Sequence, residues 1–167
     1  MRIPRAARAL TAACAAALTL FAAPASASAA VAVTEPTCTY TCVLDIRTAT
    51  HPGFDRLVVD LGSGALPQWQ VTTQDTPLQD MEGRTVPISG SSYLQLVLNG
   101  AQTFDTDYAN TFEGPRHEQI DLPTLKGHAV VFSMESDTLI GLAAGEYASV
   151  EVFTLTAPNR VVIDLHR

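Results

Sequence analysis

The sequence predicts an all-β fold, a two-layer β-sandwich, on three observations. From Val43 onward, short apolar runs alternate with turn residues at the spacing of a sandwich or barrel. Within most runs apolar and polar side chains alternate with period two, the pattern of a half-buried strand, and no segment holds a convincing helical period. The segment Asp55-Arg56-Leu57-Val58-Val59-Asp60-Leu61 recurs as Asn159-Arg160-Val161-Val162-Ile163-Asp164-Leu165, with Arg and Asp four apart on the polar face both times. A sandwich with pseudo-two-fold internal symmetry accommodates such a pair, although two ordinary strands with outward charges would read the same way.

Residues 1–29 read as a secretory signal peptide. Arg2, Arg5 and Arg8 supply the positive start, Ala6 to Leu20 the apolar core, and Ala25-Ser26-Ala27 or Ala27-Ser28-Ala29 the small-residue cleavage geometry. Cleavage is placed after Ala29, with Ala27 as the alternative. The apolar run is shorter than the ~20 residues that span a hydrocarbon core, so no transmembrane segment is expected in the mature form. Cys14 lies inside the apolar core and reads as an ordinary signal residue rather than a lipidation site. Residues 30–41 form an extended lead-in, and 42–167 the folded domain.

In order along that domain, Val43 to Thr48 is a strand with Leu44 and Ile46 on one face and Asp45 and Arg47 on the other, and His51-Pro52-Gly53 turns it. Phe54 to Leu61 follows, with Leu57, Val59 and Leu61 inward. Gln68 to Thr73 places Trp69 and Val71 inward. Pro77 to Gly90 is an irregular connection in which Thr76 to Met81 could form a short helix. Tyr93 to Leu98 sets Leu94, Leu96 and Leu98 on one face before the Asn99-Gly100 turn. After the long irregular stretch Ala101 to Pro115 come strands at Glu118–Leu122, His128–Glu135, Thr138–Leu142, Val150–Leu155 and Arg160–His166. Val150 to Leu155, apolar on both faces, is expected to lie centrally.

Loss of the signal removes three arginines and no acids, taking the formal charge from -7 to -10. That acidity argues against nucleic acid and anionic lipid, whose affinity rests on Lys and Arg. It equally serves solubility. In an exported chain Cys38 and Cys42 read as a disulfide rather than a metal or redox pair.

No catalytic residues, metal or cofactor are assigned. The chain has no Gly-x-Ser-x-Gly elbow, and His51, His117, His128 and His166 are scattered without zinc-site spacing. Asp105-Thr106-Asp107 with Asn110 and Glu113 has the donors of a calcium loop but lacks its glycine, so it reads as acidic surface. The same loop is the candidate ligand-binding site. Tyr108, Asn110, Phe112 and Arg116 combine aromatic faces with amide and guanidinium donors, as sugar- and peptide-binding surfaces do.

The segment His51-Pro52-Gly53-Phe54-Asp55-Arg56, the Val86-Pro87-Ile88 connection, Gly114-Pro115-Arg116, Ile140-Gly141-Leu142 and the ending Pro158-Asn159-Arg160-Val161-Val162-Ile163-Asp164-Leu165 together resemble the AMIN-like domain of exported actinobacterial proteins. The resemblance implies a β-sandwich and an envelope-binding role, because AMIN domains proper are non-catalytic modules that direct cell-wall enzymes and secretion channels, apparently by binding peptidoglycan. The expected function is therefore a secreted, extracytoplasmic, non-enzymatic module that contacts peptidoglycan or an exported wall-associated partner. The competing expectations are a small secreted hydrolase, which would need His117 or His128 within reach of a carboxylate and a Ser hydroxyl, and a metal-binding envelope protein.

Overall fold

The computed structural model describes residues 35–167. The expected signal peptide and the first residues of the lead-in lie outside that range. Ten strands follow in order: β1 (Thr41–His51), β2 (Phe54–Leu61), β3 (Gln68–Gln74), β4 (Ser92–Asn99), β5 (Ala101–Gln102), β6 (His117–Gln119), β7 (Leu125–Met134), β8 (Asp137–Ala144), β9 (Ser149–Leu155) and β10 (Arg160–His166). They form two five-stranded sheets, β5-β1-β2-β10-β9 and β3-β4-β8-β7-β6, packed as a sandwich. Every pairing is antiparallel except the short one between β1 and β5.

Alternation along each strand sets the core. Leu57, Val59 and Leu61 of β2 and Val161, Ile163 and Leu165 of β10 meet Leu94, Leu96 and Leu98 of β4 and Ile140 and Leu142 of β8 in one buried cluster. Burying a side chain of this size contributes roughly 1.5–3 kcal/mol. A second cluster covers the outer face of the β4-β8-β7 sheet. There Leu78, Val86 and Ile88, from the irregular connection, pack on Tyr93, Ala129 and Ala143. The connection ends at Gly90, where a Cβ would stand 2.5 Å from the Ala144 carbonyl oxygen, so only glycine fits against β8.

The repeated segments are neighbours. β2 and β10 pair antiparallel at the centre of the first sheet, with Arg56 opposite Asp164 and Arg160 opposite Asp60. β1 flanks β2 and β9 flanks β10. The hairpins β1-β2 and β9-β10 are thus related by a local two-fold through the β2-β10 seam.

Five expectations are corrected. No helix forms at Thr76–Met81; the Gln79 and Thr85 bridge closes a turn there instead, and Leu78 anchors it to the sheet. A bulge between Val43 and Asp45 puts Val43, not Leu44, in the core, leaving Leu44 half-buried. The Glu118–Leu122 strand is only His117–Gln119, with the Ile120 and Leu122 amides donating to the Lys126 and Leu125 carbonyls at the start of β7. Val150–Leu155 is an edge strand with Glu151, Phe153 and Leu155 facing outward, so its double-sided apolarity is not central burial. Trp69 lies across from Leu98 as expected of an inward residue, yet at the sheet edge it stays 38% exposed.

Candidate functional site

The outer face of the first sheet is built from the polar parity of four strands: His51, Phe54, Arg56, Asp60, Glu151, Phe153, Asp164 and His166 alternate with core residues. Register places Phe54 beside both His51 and His166. The Phe54 ring stacks on His51 at 4.7 Å between centroids and sits 5.3 Å from His166. Arg56 grips Asp164 with two bonds, Nε to Oδ1 at 2.7 Å and Nη2 to Oδ2 at 2.6 Å, and its guanidinium lies over Phe54 and Phe153. Pairing of this bidentate kind fixes both groups and raises the Arg56 pKa, the bond to Asp164 being the main cause. Arg47 makes the matching pair with Asp60 one strand away. The result is a half-exposed surface of aromatic faces framed by immobilised donors and acceptors.

At its end this face runs into a hollow. Arg167 donates to the carbonyls of His51 and Phe54 and to the Asp55 carboxylate, tying it to the His51–Arg56 corner. Together with Lys126, Tyr147, Thr124 and Glu146 it lines a concavity of about 680 Å³. Beneath lies Asp55, which is 0% exposed. It belongs to the inward parity of β2 and accepts bonds from the Thr50 hydroxyl, the Thr124 and Leu125 amides and Arg167. Burial pushes its carboxyl pKa up, but these four donors outweigh burial and hold it below the usual carboxylate range. Asp55 thereby joins β2 of one sheet to the start of β7 in the other.

The four residues expected to bind ligand do not converge in this way. Tyr108 is 86% exposed, with its ring stacked on Phe104. Phe112 is a correction: it is 3% exposed within the core cluster, because the chain folds back where Thr111 and Glu113 bond to β1, so its ring is closed to ligand. Asn110 donates its amide to the Phe112 carbonyl, and Arg116 reaches the Thr103 hydroxyl. Asp105 accepts from the Asp107 and Ala109 amides, closing its own loop. Cys38 and Cys42 form a disulfide just before and within β1.

His128 and Glu118 do meet, at 3.3 Å, yet His128 is buried, and among the described residues its Nδ1 has no partner and Glu118 is its only side-chain bond. Among the described residues no Ser hydroxyl bonds to this pair to complete a hydrolytic arrangement. Among the described residues one group, Glu151, Asp164 and His166, brings metal-type ligand atoms within 4.8 Å of one another. Both Asp164 oxygens are already held by Arg56, so a cation would have to displace the guanidinium.

Fold and site together define a small two-sheet β-sandwich module with a polar, aromatic sheet face. The chain belongs to the AMIN-like domain family, whose model matches residues 41–167. Membership points to a cell-envelope-associated module, located outside the cytoplasm in general. No curated protein and no solved structure shows significant similarity to the chain. Among the described residues no helix is long and apolar enough to cross a membrane.

Proposed function

We infer that this is a non-catalytic recognition module that contacts peptidoglycan, and that the contact surface is the outer face of the β1-β2-β10-β9 layer with the hollow at its end. The observation that supports this reading is the juxtaposition of Phe54, His51, His166 and Phe153 with the locked Arg56–Asp164 pair. Sugar rings present C–H faces that pack on aromatic rings, while their hydroxyls need fixed donors and acceptors at the rim. Lys126 and Arg167 in the adjoining hollow suit the carboxylates of stem peptides. The exposed Tyr108 ring is a second, separate contact in this proposal, with Asn110 two residues on and Arg116 as further polar groups of the same long loop.

Docking on an exported wall-associated protein is the alternative favoured by the acidic formal charge, -7 for the sequence and -10 once the expected signal is removed, which repels anionic wall polymers. Cosedimentation with purified peptidoglycan at low and high salt distinguishes them. The module is expected to pellet at both salts, and more at high salt, where its repulsion is screened. A Phe54→Ala/Phe153→Ala variant is expected to stay in the supernatant, and Tyr108→Ala to pellet less. Absence of wild-type pelleting at either salt rejects peptidoglycan contact and leaves the partner reading.

A further inference from the structure

Three of the four sheet edges are short or charged: β5 has 2 residues, β6 has 3, and β9 carries Glu151. The fourth is β3, Gln68–Gln74, 7 residues long. It has no charged residue, no proline and no register break against β4, and five of its residues are exposed. No backbone bond from elsewhere in the described chain reaches it beyond its pairing with β4. Lys, Pro and bulges are the devices that normally keep an edge from pairing with another strand, and β3 has none of them.

We propose that β3 is a self-association edge, and that its occupant is β3 of a second copy, paired antiparallel about Val71. That register sets Gln68 opposite Gln74, Trp69 opposite Thr73 and Gln70 opposite Thr72 of the other copy. Every facing pair is uncharged, so two acidic molecules, each with a formal charge of -7, meet along a strip that holds none of that charge. Trp69, half-exposed at the edge, gains the Thr73 and Val71 side chains of the second copy as cover, the aromatic-to-β-branched contact that stabilises cross-strand pairs. The pairing is isologous, so it closes at two and joins two five-stranded sheets into one of ten. An interface of one strand is small, which makes the dimer transient and concentration-dependent.

A charge-swap series measured by sedimentation velocity tests it. Gln70 and Thr72 are exposed on the outer face, so Q70K/T72K and Q70E/T72E leave the core alone, which circular dichroism verifies. The wild type is expected to rise in mass toward twice the monomer as concentration increases, and more readily at high salt. Each single-sign variant sets like charges opposite one another and is expected to dimerise on the order of tenfold more weakly. An equimolar mixture of the two restores the dimer, because positions 70 and 72 then face each other across the seam with opposite charge. A wild type that stays monomeric, growth beyond two copies, variants that dimerise as well as wild type, or a mixture that remains monomeric each overturns the proposal.

Discussion

Asp55 carries more of the fold than its place beside a turn announces. Four donors converge on a fully buried carboxylate, so Asp55→Asn leaves two amide N–H groups facing a poorer acceptor and is expected to cost about 3 kcal/mol in urea denaturation. Its pKa is depressed in the folded state, so its contribution is complete above the usual carboxylate value and fades as pH falls through the lower folded value. The acid limb of the wild-type stability curve should therefore be steeper than that of D55N; equal limbs would mean that the carboxylate is not the group titrating. Asp55 is legible in principle, since 55, 57, 59 and 61 share the parity of the buried leucines. Locally it reads as a turn residue, because burying an aspartate is costly unless distant partners supply bonds, and those partners lie 69 to 112 residues away. His128 works in the opposite sense. Burial lowers its pKa, while Glu118 on β6 and Asp45 on β1 favour its charged form without prevailing. As pH drops through about 6.5 the unfolded imidazole takes up a proton that the folded one refuses, so stability falls with falling pH in that window. His128→Gln is expected to flatten the melting temperature between about pH 7 and 5, and an unchanged slope would contradict it.

At the scale of elements, what period two could state was which face a side chain takes; what it could not state was where the strand sits in its sheet. β2 follows the expected alternation residue by residue, and β4 does so from Leu94 to Leu98, while Tyr93 is buried too, under the Leu78 cluster on the other face. β9 has the same local pattern as a central strand but ends up at an edge, because position in a sheet depends on which strands pair, and Val150 to Leu155 pairs only with β10. Phe112 departs from expectation for a related reason: a loop aromatic reads as exposed until the bonds of its neighbours to Val43 and Leu44 show that it is pulled between the layers. The repeated Arg-and-Asp segments carry the clearest long-range signal. Their equal spacing is what antiparallel neighbours need for Arg56 to reach Asp164 across 108 residues of chain. Two element-scale outcomes follow from packing. Gly90→Ala forces a Cβ onto the β8 backbone and is expected to lower stability by roughly 1–3 kcal/mol. Cys38→Ser/Cys42→Ser opens a loop of sequence separation 4, for which chain entropy sets a loss of about 2 kcal/mol, read by thermal denaturation.

For the whole molecule, the fold class followed from apolar alternation and turn spacing, whereas the candidate surface did not follow from any local motif. His51, Phe54, Glu151, Phe153, Asp164 and His166 come from both ends of the domain and meet only because the β2-β10 seam brings those ends together. Seen along the chain, each is an ordinary outward residue of its own strand. The two layers also differ in a way no composition reveals: the β4-β8-β7 face is sealed by Leu78, Val86 and Ile88, and the β2-β10 face keeps Phe54, Arg56, Asp60 and His166 half-exposed, with Asp164 buried in its pair with Arg56. That asymmetry favours recognition on one side of the sandwich. The most direct test is backbone amide chemical-shift mapping while a soluble muropeptide, glycan with its stem peptide, is titrated into the labelled protein. Shifts are expected to cluster at His51 to Arg56, Glu151 to Phe153 and Asp164 to Arg167. A silent titration, or shifts confined to the Leu78 to Ile88 side, contradicts the account.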